Sequence, residues 1–411
     1  MNLGEEYRWN IKTITYGIDE SFLNYFGQRG VDEINKAFAI LNNLPAVSQI
    51  SPTLEEFPLD TRRENLRASA LFLLDLKSAA LGLLVEQLGL TSPDRYVWCL
   101  RDRRVINNVG FYLVIKRNFD PVTFAPSSYV NGVLYTYAIL QFTEPDWWDA
   151  IEVPLDPQAF GYTAVASDFG SIASGVGGTG GPGLSYGQFY TGLTRDDVGG
   201  LRYLYRPNNY NIEDLVPGTT GSGLSGSPWD LPGGGGTNGV TNAVVGVALR
   251  PGVDRLTFRR AEYDSVFGNF IIITNRYQDT FYTNGTRVTQ TAERILVQPD
   301  ILITAEDLGL TTGGTPVFVR RNAGWINNDA LNGQAALDGP GIIAGQIVLA
   351  FSKVGPHMFN QGLPGPAFLD QFNSLGSGFI WGSFDGTTNA PVVYPIGSSI
   401  QELEQRVLGG N

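Results

Sequence analysis

The chain has 411 residues, 43% apolar, 12% aromatic and only 17% charged, with 28 basic and 40 acidic side chains for a net charge of −12. This composition excludes a wholly disordered chain, and the acidity argues against a surface built to neutralise nucleic-acid phosphates. A single histidine, His357, and a single cysteine, Cys99, exclude internal disulfides, histidine-rich zinc sites and most imidazole-based hydrolysis.

The chain opens with Met1–Asn10, which has two acids and no apolar run, so it does not read as a signal peptide. Ile11 to Ile18 alternates apolar and polar residues, the period of a half-buried strand. After Gly30, Val31, Ile34, Phe38 and Leu41 recur at helical spacing. Thr61 and Glu64 read as a capping box opening a long helix through Leu88, with a stop at Gly89. The apolar run Ser69 to Leu90 is interrupted by Asp75, Lys77, Glu86 and Gln87, too polar to span a bilayer.

From Trp98 the pattern turns to strands. Val109 to Lys116 and Gly132 to Phe142 are rich in β-branched and aromatic residues, with Pro121 and Pro126 between them. Ala166 to Gly187 reads as glycine-rich coil, followed by a short helix opened by Thr194 with Asp196 and Asp197 in its first turn. The stretch 216–242, GTTGSGLSGSPWDLPGGGGTNG at its centre, has the composition of a linker and places a domain boundary there. Beyond it, eight short strands are predicted: Ala243 to Ala248, Arg255 to Arg259, Asn269 to Thr274, Arg294 to Val297, Pro316 to Arg320, Gly345 to Phe351, Phe379 to Trp381 and Pro391 to Tyr394. A helix, Ser399 to Leu408, closes the chain. The expected fold class is α+β: an N-terminal α/β domain over 1–215 and an all-β, sandwich-like domain over 243–411.

ITYGIDESFLNYFGQRGVDEINKAFAILNNL resembles the opening of matrixin-like metzincin peptidases, and Leu193 to Tyr205, LTRDDVGGLRYLY, resembles the last helix of their catalytic domain. The resemblance implies a metzincin-like scaffold over 1–215, with the helix over 61–88 as an insertion. The family's zinc motif, HExxHxxGxxH, has no counterpart here, since 146–190 holds no histidine; no catalytic or metal residue carries over, and no cofactor is implied. The chain as a whole also resembles bacterial exported proteins with a PEP-CTERM sorting tail. No such tail stands in this sequence, which implies processing or truncation.

Candidate sites each have a plainer alternative. Asp146, Asp149 and Glu152 around Trp147 and Trp148 have the residue types of a glycosidase or sugar groove, against a loop with anchoring tryptophans. Asp196 and Asp197 read as helix caps. Gly175 to Gly183, GVGGTGGPG, lacks the strand, helix and lysine of a phosphate loop and reads as coil. Asn327, Asp329, Asn332 and Asp338 offer calcium-type oxygens outside EF-hand order and read as turns. His357 reads as a loop residue, and Asn284-Gly285-Thr286 reads as a hairpin turn rather than a glycosylated sequon.

The functional expectation is a non-catalytic structural protein of the cell exterior or surface. It would assemble with copies of itself into a filament, tube or layer, without nucleic acid and without a membrane span. Only five lysines, abundant glycine and aromatics, and strand edges free to pair motivate it. The alternatives are a carboxylate-based glycosidase and a carbohydrate or protein binding module presenting Trp381 and Tyr394.

Overall fold

The computed structural model describes residues 6, 8–91, 96–106, 109–117, 119–125, 127–143, 146–155, 186–213, 215–216, 218–219, 244–261, 263–264, 269–270, 272–305, 320–323, 347–350, 358–360, 363–364 and 380–409. In the first half these form β1 (Thr13–Ile18), α1 (Glu20–Asn42), β2 (Arg62–Glu64), α2 (Leu66–Ala70), β3 (Leu73–Asp75), α3 (Leu76–Gln87), β4 (Leu90–Thr91), β5 (Tyr96–Ile106), β6 (Val109–Arg117), β7 (Tyr129–Val130), β8 (Val133–Thr143), β9 (Asp146–Pro154), β10 (Gln188–Tyr190), α4 (Arg195–Tyr205) and β11 (Asn211–Glu213). The second half adds β12 (Ala248–Arg250), β13 (Thr257–Arg260), β14 (Tyr263–Asp264), β15 (Asn269–Phe270), β16 (Ile273–Thr283), β17 (Thr286–Leu296), β18 (Ile301–Ile303), β19 (Arg320–Ala323), β20 (Ile347–Ala350), β21 (Met358–Asn360), β22 (Leu363–Pro364), β23 (Ile380–Ser383), β24 (Val392–Val393) and α5 (Ile400–Gly409). The fold is mixed α+β, with many strands in several sheets and few helices.

β1 lies between β13 and β18 and runs parallel to both. Its neighbours therefore come from beyond residue 250. The same interleaving joins β23 to β3, β21 to β6 and β12 to β11. The expected sandwich over 243–411 is thus corrected on one point: several of its strands complete sheets begun in the first half, while β14–β15 and β19–β20 pair only with each other among the described residues. The stretch 216–242 does not divide two separately built sheet systems, and one apolar core runs from Trp9 to Tyr394.

The core is set by α1, which buries Phe22, Phe26, Val31, Ile34, Phe38 and Leu41. The helix begins at Glu20, well before Val31 where the periodic pattern starts, capped by Asp19 accepting from the Ser21 N–H at 2.8 Å. Gly27 interrupts the period: its φ of 60° and ψ of −166° kink the helix in a region that side chains resist. The carbonyl of Tyr25 accepts from the Ile396 N–H at 2.7 Å there, and a Cβ on Gly27 would lie 2.4 Å from the Ile396 side chain. Glycine at 27 is what lets the C-terminal segment seat on α1.

The long helix expected over 61–88 is overturned. Thr61 donates to the Gly192 carbonyl at 2.7 Å instead of opening a helix, and the segment divides into β2, α2, β3 and α3. Two local caps defeat the continuous helix. Asn65 accepts from the Ala68 N–H at 2.8 Å, and Asp75 accepts from the Ser78 N–H at 2.9 Å. Phe72, at φ 56°, turns the chain between them so that β3 can pair with β23.

Of two long strands, β5 lies where the strand pattern begins at Trp98 but is not singled out by it, and β9 is not foreseen as a strand. Arg101 to Arg104 interrupts the apolar alternation of β5 with four charges, and β5 pairs with β6 through a register shift between Leu100 and Asp102. The β16–β17 hairpin extends far past the strands predicted at its two ends, through eleven register pairs from Ile273↔Leu296 to Thr283↔Thr286. Its turn is Asn284-Gly285 with φ of 48° and 73°, the two-residue type I′ geometry that matches strand twist. The hairpin reading of that sequon thus holds.

Candidate binding cleft

Where β12 diverges from β16, the sheet opens. The two strands pair only at Leu249↔Tyr282, leaving β16 residues 275–280 along a cleft of about 750 Å³. The opposite wall comes from residues 10–13 leading into β1, from 207–210 after α4, and from 250–254 after β12.

Buried ion pairs hold these walls. Arg250, 1% exposed, grips Asp279 of β16 with two bonds, Nε to Oδ1 at 2.8 Å and Nη2 to Oδ2 at 2.9 Å. Its Nη1 also donates to the Glu213 carbonyl, tying β12, β16 and β11 together. Gln290 of β17 adds a bond to Asp279 Oδ2 at 2.7 Å. Arg294 pairs with Asp300, whose other oxygen accepts from the Thr15 N–H and hydroxyl, both at 2.8 Å, fastening the hairpin to β1. Deeper, Arg8 meets Glu213 at 2.6 Å. Burial pushes the Glu213 carboxyl above its usual range, and the Arg8 charge opposes that push.

The lining is polar with aromatic faces. Tyr210 and Tyr282 cross edge to face, ring centres 5.0 Å apart, with their hydroxyls 3.5 Å apart. The hydroxyl contact with Tyr282 is the main cause holding the Tyr210 phenol above its ordinary value, and burial does the same for Tyr277. Five cations line the cleft, Lys12, Arg250, Arg276, Arg287 and Arg294, against two carboxylates, Asp254 and Asp279. Asp254 is engaged with Ser48, accepting from its N–H and hydroxyl at 2.7 Å each.

The sites singled out in the sequence lie elsewhere. Asp146, Asp149 and Glu152 all fall on β9, opposite Thr143, Leu140 and Tyr137 of β8. At a strand rise of about 3.3 Å per residue, three-residue steps separate their backbones by about 10 Å. Asp197 completes a capping box with Thr194, as expected, whereas Asp196, in the first turn of α4, accepts from the Asn131 N–H and so ties the β7–β8 turn to the helix. Trp381 and Tyr394, 1% and 2% exposed, pack against Phe26 in the core. Their expected role as presented aromatics is corrected: Trp381 lies within β23 and Tyr394 directly follows β24, and both rings meet Phe26 of α1. Gly175–Gly183, Asn327, Asp329, Asn332, Asp338 and His357 lie outside the described residues.

Among the described residues no cluster of three or more histidine, cysteine or carboxylate side chains is placed to hold a metal, and no helix is long and apolar enough to cross a membrane. Comparison with protein-family models, with curated proteins and with solved structures found no match for the chain. The cleft residues Lys12, Tyr210, Tyr277, Tyr282 and Arg287 were not foreseen. The signal that bore on them was the Asn-Gly turn with alternating residues on both sides of it.

Proposed function

We propose that the protein is a non-catalytic binding protein of the cell exterior that holds an extended polymer chain in the cleft beside β16. The cleft carries this reading. Its volume of about 750 Å³ falls in the usual range of ligand sites, roughly 300 to 1,000 Å³. Tyrosine faces, amides and guanidinium groups are the chemistry of recognition, in which an aromatic body packs and a polar tip orients. The buried pairs Arg250–Asp279 and Arg294–Asp300 preorganise the walls, which lowers the ordering cost of binding.

The test is calorimetry on the full chain with oligosaccharide and peptide panels, comparing wild type with Tyr210→Ala and Tyr282→Ala. Binding that weakens in both variants supports the cleft; binding untouched by either puts the ligand elsewhere and contradicts it.

Self-assembly is the second reading, favoured by the outer edge of β17. Residues 287–293 of that edge meet no further strand among the described residues, the bridge from Thr219 reaching only Arg294. Polymers under negative stain support it, and a monomer by light scattering contradicts it. The matrixin-like reading of the scaffold draws support from β1 leading into α1 and from the capped α4; with one histidine in the chain it remains a scaffold without that family's chemistry.

A further inference from the structure

The wall of the cleft formed by β16 is a strand edge, and this goes beyond what polymer binding in general requires. In an antiparallel ladder both backbone groups of a residue face one neighbouring strand, and those of the next residue face the other way. The two-residue turn makes Thr283 and Thr286 the hydrogen-bonded pair nearest it, so odd-numbered residues of β16 bond to β17. Even-numbered residues turn outward. Tyr282 accordingly meets Leu249 of β12, while Arg276, Gln278 and Thr280 turn their N–H and C=O groups toward the cleft. Among the described residues none of these three meets a backbone partner.

The charges beside this edge select a sign. Arg276 pairs with Glu293, Arg250 with Asp279 and Arg294 with Asp300, but Lys12 and Arg287 line the same cleft with no carboxylate at pairing distance among the described residues. In a chain of net charge −12 this is a local cationic surplus. We propose that the β16 edge takes an extended acidic peptide as an added strand, its backbone pairing with Arg276, Gln278 and Thr280 and its carboxylates meeting Lys12 and Arg287. The proposal rests on the cleft being the binding site and names the class of its occupant. Backbone bonds supply affinity that is blind to sequence, and alternate side chains supply the selection for acid.

The probe is a fluorescent, N-acetylated octapeptide alternating valine and glutamate, titrated into the full chain by anisotropy. Saturable binding is expected, weaker by about tenfold or more when lysine replaces glutamate or when alternate peptide nitrogens are methylated. Gln278→Pro removes one outward N–H without removing a bond to β17, and the same loss is expected from it. Because proline also bends a strand, Lys12→Glu with Arg287→Glu serves as a second variant, expected to reverse the preference toward the lysine peptide. Equal affinity for the methylated peptide overturns strand addition. Binding of polygalacturonate in place of the peptide, lost in Tyr282→Ala, overturns the peptide while upholding the cleft. Binding of the octapeptide that neither Tyr282→Ala nor the charge reversal alters overturns both.

Discussion

The carboxylate of Asp75 accepts hydrogen bonds from the Ser78 N–H at 2.9 Å and the Ser78 hydroxyl at 2.6 Å, capping α3 from the end of β3. The same hydroxyl donor belongs to a side chain that accepts from the Tyr190 N–H at 2.7 Å, so the cap also holds β10. Asp75 is fully buried, and burial pushes it up to about 6, more than Lys77 and the Ser78 bonds can offset.

That shift sets a pH dependence. The folded chain keeps the Asp75 proton at pH values where the unfolded chain has released it, so this contribution is fully present below the ordinary value of 3.8 and is lost as pH rises through about 6. The gap corresponds to about 3 kcal/mol. Asparagine can cap without ionising. Asp75→Asn is therefore expected to gain stability relative to wild type between pH 4 and 7.5, read from urea unfolding. A difference that does not change with pH would contradict the assignment.

The ion pairs around the cleft differ in their exposure, and their deletion should differ accordingly. Asp279→Ala leaves Arg250 charged and buried, an expected loss of about 3 to 5 kcal/mol in urea unfolding. Glu293→Ala breaks the exposed pair to Arg276 and is expected to cost about 1 kcal/mol or less.

Gly27→Ala introduces both a strained φ and a Cβ against Ile396. A cost of about 1 to 3 kcal/mol is expected from the backbone alone. Combining it with Ile396→Ala removes the steric part, so the double variant should lose less than the sum of the two single losses.

Binding of an acidic peptide through Lys12 and Arg287 is expected to weaken with salt, since the screening length falls from about 10 Å at 0.1 M to about 3 Å at 1 M. Anisotropy titrations of the octapeptide at the two salt concentrations measure this. An affinity indifferent to salt would assign recognition to the tyrosines.

The elements written in local chemistry were legible in the sequence. Thr194 and Asp197 announced the start of α4, Asn284-Gly285 announced the hairpin, alternation announced β1, and β-branched and aromatic enrichment announced β6. What failed depended on partners distant in the chain. The run over 61–88 is apolar enough for one helix, but β3 forms because β23 lies beside it, more than 300 residues later. Trp381 and Tyr394 read as surface aromatics until Phe26 is set against them. The cleft was hidden for the same reason: Lys12, Tyr210, Arg250 and Arg287 belong to four separate segments, and only the divergence of β12 from β16 brings them together.

Amide exchange along β16, resolved by residue with NMR on the deuterated full chain, tests the open edge most directly. In the free protein the N–H groups of Arg276, Gln278 and Thr280 should exchange fast while those of Asn275, Tyr277 and Asp279 exchange slowly, and saturating acidic octapeptide should slow the first three. Slow exchange at all six positions in the free protein would mean that the edge is already covered, and the account would be wrong.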